Sequence, residues 1–150
     1  MQHIPILAPL GAGAIVFAAT VFVHAVPLSA TVNFVRRERQ LGRVGQRFWI
    51  DLTIVGRGIF YALLAHLAEI ALWAGLFVML GEFHEFGAAY YHSAVNYTTL
   101  GYGDVIMSPS WRLLGPMEAA TGMLMFGVST AMIFAIIERL VEARFVDLKD

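Results

Sequence analysis

The sequence predicts an all-α membrane protein in which three helices cross the bilayer and a fourth, shorter helix enters it and turns back. Composition is the first reason. Of the 150 residues, 59% are hydrophobic and 14% charged, with a mean hydropathy of +0.70. A soluble domain carries about a quarter charged residues, so this chain cannot build a water-facing surface of ordinary polarity. Segment length is the second reason. Residues 4–26, 58–80 and 113–137 are apolar runs that reach the roughly 20 residues a spanning helix needs. The third is residues 88–98, which are apolar and aromatic but cover only about 16 Å as a helix. A helix of that length does not cross and is expected to be re-entrant. Cysteine is absent, which excludes disulfides and thiolate-bound metals. A net charge of −1 gives no overall basic character of the kind nucleic-acid binding requires.

The first span, 4–26, holds no charged residue unless His24 is protonated. A signal peptide is the rival reading. Its leading residues Met1, Gln2 and His3 carry no Lys or Arg, and the apolar run exceeds a usual signal core, so a retained helix is expected. Gly11, Ala14 and Ala18 offer a small-residue stripe for packing. The linker at 27–48 sets Arg36, Arg37, Arg39, Arg43 and Arg47 against one acid, Glu38. By the positive-inside rule it is cytoplasmic. The N-terminus is then outside, residues 81–110 face outside, and the chain ends in the cytoplasm. Four of these arginines have helical spacing, but Gly42, Gly45 and Gln46 interrupt them and no apolar run surrounds them. An interfacial segment meeting anionic lipid is favoured over a voltage sensor. The division expected is 1–48 for the first helix and basic linker, 49–140 for a pore-type unit, and 141–150 for a short cytoplasmic tail.

Between the second and third spans, residues 98–104 read Thr-Thr-Leu-Gly-Tyr-Gly-Asp. Gly101 and Gly103 permit backbone angles closed to residues with a Cβ, so successive carbonyls can turn to one side. This heptapeptide resembles the selectivity filter of potassium channels, in which carbonyl rings replace the hydration shell of the ion. The resemblance covers about residues 50–140 and implies a homotetramer, because one filter strand per chain needs four copies around an axis. It implies K+ binding at Thr99, Leu100, Gly101, Tyr102 and Gly103, with K+ as permeant ion and no other cofactor. Tyr91, His92, Val95, Thr98 and Asp104 fall at filter-supporting positions. Tyr91 and His92 stand where many members carry a pair of tryptophans that brace the filter tyrosine. Val95 replaces a glutamate found in some members, leaving Asp104 to find another partner, with Tyr91 the candidate. Leu100 replaces the commoner valine or isoleucine. The resemblance also implies a hinge at Gly122, ten residues after Arg112, and a pore-facing stripe of Met123, Phe126, Thr130, Phe134 and Glu138. The alternative is that the large apolar members of this stripe pack on neighbouring helices.

His66 and Glu69 lie three apart in the second span, on one helix face, and Glu118 lies in the third. Intramembrane ionisable groups are costly and are normally buried against protein. Hydrogen bonding between helices is the favoured role; a proton-sensitive lock and a metal site are the alternatives. The His-x-x-Glu element and Trp111–Leu114 are similar to elements of small bacterial three-helix channels, which implies an inner-membrane location. Passive potassium conduction is therefore expected. A weakly selective cation pore and a non-conducting membrane scaffold are the competing functions. An enzyme reading ranks last, since nothing supplies a nucleophile or full ligand set. Topology is directly testable. With cysteine introduced as Gln2→Cys or Gln40→Cys, an impermeant thiol reagent added to intact cells labels the first variant and spares the second; the reverse pattern inverts the orientation.

Overall fold

The computed structural model describes residues 6–44 and 48–146, with backbone alone at 145 and 146. Arg47, one of the arginines assigned above to a lipid-facing linker, lies outside the described residues. Four helices follow in order: α1 Leu7–Gln40, α2 Phe48–Met79, α3 Phe86–Tyr97 and α4 Leu114–Val146. Those other than α3 are long and apolar enough to cross a membrane. The described residues contain no strand paired in a sheet.

α1 departs from expectation. It continues through Pro27 to Gln40 instead of giving way to a linker after residue 26, so Arg36, Arg37 and Arg39 lie on its last turns. Proline removes one helix hydrogen bond, a loss that tertiary packing on both sides of the break offsets. Pro9, Gly13, Val16, Thr20 and His24 are buried before Pro27, and Thr31 is buried after it. These residues recur every three or four positions up to His24, and Thr31, two turns on, continues the stripe across the proline. The Thr31 hydroxyl donates to the Pro27 carbonyl at 2.8 Å. Gly11, Ala14 and Ala18, the small residues expected to mediate packing, are exposed on the single chain. The buried stripe is rotated from them because His24 is polar and meets Glu69 of α2.

α1 packs on α2 and α4, while α3 packs on α2 and α4 from the other side. The principal core joins Trp73, Ala74 and Phe77 of α2 to Ala89 and Tyr97 of α3 and Leu114 of α4, all with no exposed surface. A smaller cluster of Ile54, Ile136 and Leu140 closes the Arg-rich end, where Arg144 donates to Asp51 at 2.8 Å. α3 is therefore wedged between α2 and α4 with its C-terminal end at mid-depth.

The tightest crossing is that of α3 and α4. A Cβ at Gly122 would overlap the backbone carbonyl of Tyr97, so only glycine lets α4 reach the end of α3. By contrast Gly56, on α2, has open space around it. Gly122→Ala is expected to destabilise the folded chain by about 1–3 kcal/mol, the usual cost of overpacking. Gly56→Ala should be neutral or slightly stabilising, because alanine favours helix. Thermal unfolding in detergent checks the contrast; equal melting temperatures would refute it.

Candidate ion-conduction site

The strand after α3 has the backbone its sequence requires. Thr99, Gly101 and Gly103 have φ of +63°, +60° and +72°, whereas Leu100 and Tyr102 between them have no positive φ. Left-handed angles on alternate residues undo the side-to-side alternation of an ordinary strand. The amides of Thr99, Leu100 and Gly101 turn back to the end of α3, reaching Asn96 O at 2.8 Å and Val95 O at 3.0 and 3.2 Å. In a planar trans peptide the carbonyl points opposite to the amide hydrogen. The carbonyls of Thr98, Thr99 and Leu100 therefore face away from α3, on the side that an axis would occupy. Thr99 takes this angle with a β-branched side chain, a conformation that glycine adopts without penalty and other residues only at a cost. The Leu100 and Tyr102 side chains are 55% and 67% exposed on the single chain.

Side chains of α3 hold the segment that follows. The Tyr91 hydroxyl donates to Asp104 Oδ2 at 2.8 Å, the pairing expected in the absence of a glutamate at 95. Donation to that carboxylate raises the Tyr91 phenol above its ordinary value. The His92 Nδ1 atom lies 3.0 Å from Val105 O, and its Nε2 accepts from Asn96 Nδ2 at 2.9 Å. The His92 ring packs between Phe77 and Phe83, at 5.6 and 5.0 Å. Tyr91 and His92 thus hydrogen-bond to the loop after the strand, Asp104 and Val105, rather than to Tyr102. Thr98 caps α3 and donates to Ala94 O at 2.7 Å. Glu82, unnoticed in the sequence, accepts from Ser108 N and Oγ at 2.7 and 2.6 Å.

A family model described as ion channel matches residues 49–139, the stretch that contains α2, α3, the glycine strand and most of α4. The chain belongs to the ion-channel family. No curated protein and no solved structure matches it. In this channel the expected inner-helix stripe divides. Gly122 is buried against Tyr97, and Phe126 packs on His66 and Tyr97 with ring centres at 4.3 and 5.5 Å. Met123, Thr130, Phe134 and Glu138 are exposed, and Phe126 itself keeps 38% of its surface exposed. The physical reason is angular. Each four-residue step on a 3.6-residue helix advances about 40°, so Gly122 and Glu138 stand on nearly opposite faces.

The intramembrane groups also separate into two sets. His66 and Glu69 meet, with Nδ1 at 3.3 Å from Oε2. Glu118 lies elsewhere, against Ser93 of α3, whose hydroxyl also reaches Ile70 O at 2.8 Å. Three partners of Glu69 and His66 were not legible as such: His24, Tyr97 and Ser129. His24 was the detectable one, since an ionisable group in an otherwise apolar span needs a partner.

Burial pushes His92 below the ordinary histidine value of 6.5, while its bond to Val105 and the nearby Asp104 and Glu82 pull the other way. The folded state then binds fewer protons than the unfolded state near this pKa. Its contribution to stability is present above pH 6.5 and declines as pH falls through the folded value. Acceptance from Asn96 by Nε2 reinforces the neutral ring. Wild-type channel is expected to lose more thermal stability than His92→Gln between pH 7 and 5. Melting curves across that range check this, and parallel pH profiles would contradict it.

Proposed function

We propose that this channel is potassium-selective and conducts K+ passively through a homotetrameric pore. The observation that carries the reading is the alternation of positive φ at Thr99, Gly101 and Gly103 in the string Thr-Thr-Leu-Gly-Tyr-Gly-Asp. It turns carbonyl oxygens to one side, and four such strands would supply the stacked oxygen rings that replace water around K+. One strand per chain supports four subunits. The exposed Leu100, Tyr102, Met123 and Phe134 are apolar and aromatic surfaces that neighbouring subunits or the pore lumen would receive. α3 ends at the strand, so its negative dipole end adds a cation-favouring field.

In this reading Thr99, Leu100, Gly101, Tyr102 and Gly103 bind the ion, and Asp104, held by Tyr91, stands at the outer mouth. Thr130, Phe134 and Glu138 line the inner half of the path. Phe134 supplies a hydrophobic constriction and Glu138 a cation-attracting ring. Residues 49–140 form the pore unit, 1–48 the added helix with its basic end, and 141–150 the tail. The N-terminus lies outside and the C-terminus in the cytoplasm. Arg36, Arg37, Arg39 and Arg43 would form a cytoplasmic surface suited to anionic lipid, to which the sequence adds Arg47; Arg43 is also 3.6 Å from Glu38.

Flux from liposomes under opposed K+ and Na+ gradients tests the reading. K+ efflux without comparable Na+ entry is expected. Equal flux of both ions would make it a weakly selective cation pore, and no flux would leave a scaffold. Gly103→Ala should abolish K+ flux while the tetramer still assembles, because alanine is strained at a φ of +72°. Wild-type flux from assembled Gly103→Ala protein would remove the filter assignment.

A further inference from the structure

Glu69 is fully buried at the centre of a side-chain cluster to which every helix contributes. His24 Nδ1 of α1 lies 2.8 Å from its Oε1, and His66 Nδ1 lies 3.3 Å from its Oε2. The Tyr97 hydroxyl of α3 meets the same Oε2 and stands 3.1 Å from His66 Nδ1. On the other side, Ser129 Oγ of α4 is 3.2 Å from His24 Nε2 and 3.1 Å from His66 Nε2. Both imidazoles thus aim Nδ1 at one carboxylate and Nε2 at one hydroxyl.

The hydrogens of this arrangement do not balance when Glu69 is ionised and both rings are neutral. Each neutral imidazole has a single N–H. If both Nδ1 atoms donate to Glu69, both Nε2 atoms are acceptors. Ser129 has one proton to offer them, and one ring nitrogen is left facing an oxygen lone pair. A cation in place of the two Nδ1 protons restores the balance. Both Nε2 atoms then carry N–H groups, and Ser129 Oγ has the two lone pairs to accept them. That is the usual environment of metal-binding histidine, whose second ring nitrogen is fixed by a hydrogen-bond acceptor. The ligand atoms of His24, His66 and Glu69 lie within 4.8 Å of one another, and small side-chain rotations bring them to the roughly 2.0–2.2 Å bonds of zinc.

We propose that His24, His66, Glu69 and Tyr97 form a buried site for one divalent first-row transition metal ion, with Ser129 orienting both imidazoles. Two nitrogens and two oxygens in a closed, dry setting suit tetrahedral zinc. The ion displaces the phenol proton of Tyr97, and the carboxylate and phenolate together balance its charge of +2. No net charge remains in the membrane interior, where an unbalanced one would be very costly. The bound ion joins α1, α2 and α3 directly, two residues before Thr99. Glu118 is held separately by Ser93 and is not a ligand. The proposal is independent of which ion the pore passes.

Elemental analysis of the full chain tests it, using protein from zinc-supplemented cells purified in detergent without chelator. About one zinc per chain is expected, falling at least ten-fold in His24→Gln and Glu69→Gln, which lose a ligand yet keep hydrogen-bonding capacity. Ser129→Ala keeps every ligand and guards against variants that fail to assemble. Its zinc affinity in chelator competition should be about 10–100-fold weaker, as for other outer-shell changes. Cobalt-loaded wild type should show visible d–d absorption that Glu69→Gln lacks. Wild-type protein with under about a tenth of a metal ion per chain overturns the site, since the same hydrogen balance can be met by one extra proton on Glu69 or on an imidazole. Metal content or a cobalt spectrum unchanged in both glutamine variants overturns it equally.

Discussion

A carboxylate halfway along a membrane helix cannot be left to face lipid, and much of this fold is arranged around meeting that condition for Glu69. An isolated charge there costs several kcal/mol even after relaxation. Each group that relieves the cost also fixes the position of a helix. His24 sets the rotation of α1, and with it the buried stripe from Pro9 to Thr31. Tyr97 ties down the last turn of α3, and Ser129 draws α4 to both histidines. Removing one partner from a buried charged pair typically costs about 3–5 kcal/mol. That is comparable with a large part of a small domain's net stability. Helix association in lipid lacks the hydrophobic drive available in water, so polar contacts and close packing carry more of the specificity.

The segment after α3 depends on a different set of bonds with a common purpose. Thr98, Thr99 and Leu100 turn their backbone oxygens away from α3, and residues 99–105 join no ordinary secondary structure. Their order comes from the flanks: Val95 and Asn96 receive the first amides, Tyr91 holds Asp104, and His92 holds Val105. Glu82 then fixes Ser108 farther along the loop. The short helix α3 is both the platform and the clamp of this segment.

What the sequence showed and what it concealed divide along a physical line. Features with local causes were legible. Apolar run length marks the spans, and the spacing of Gly101 and Gly103 marks the strand with alternating φ. Tyr91 was identifiable as the partner of Asp104 through the family resemblance, which leaves Asp104 without a glutamate at position 95 and sets a phenol at 91. Features decided by contact between helices were not. Pro27 looks like a helix end, but the packing of His24 and Thr31 on either side carries α1 past it. Counting in fours from Gly122 selects residues that drift around α4, and no periodicity reveals that Tyr97 occupies the notch beside that glycine. His24 and Ser129 are separated by 105 positions, and only the folded arrangement brings them to one point.

The notch at Gly122 has a mechanical meaning. Tyr97 places its backbone carbonyl where a side chain would begin, so α4 and the end of α3 meet backbone to backbone. Side chains absorb small displacements by changing rotamer; a carbonyl seated in a helix groove cannot. In the proposed pore, a tilt of the lower half of α4 would pivot against this fixed bearing and be passed to Thr99, two residues away. The crossing would then act as a fulcrum, converting movement at the inner mouth into stress on the oxygens above it.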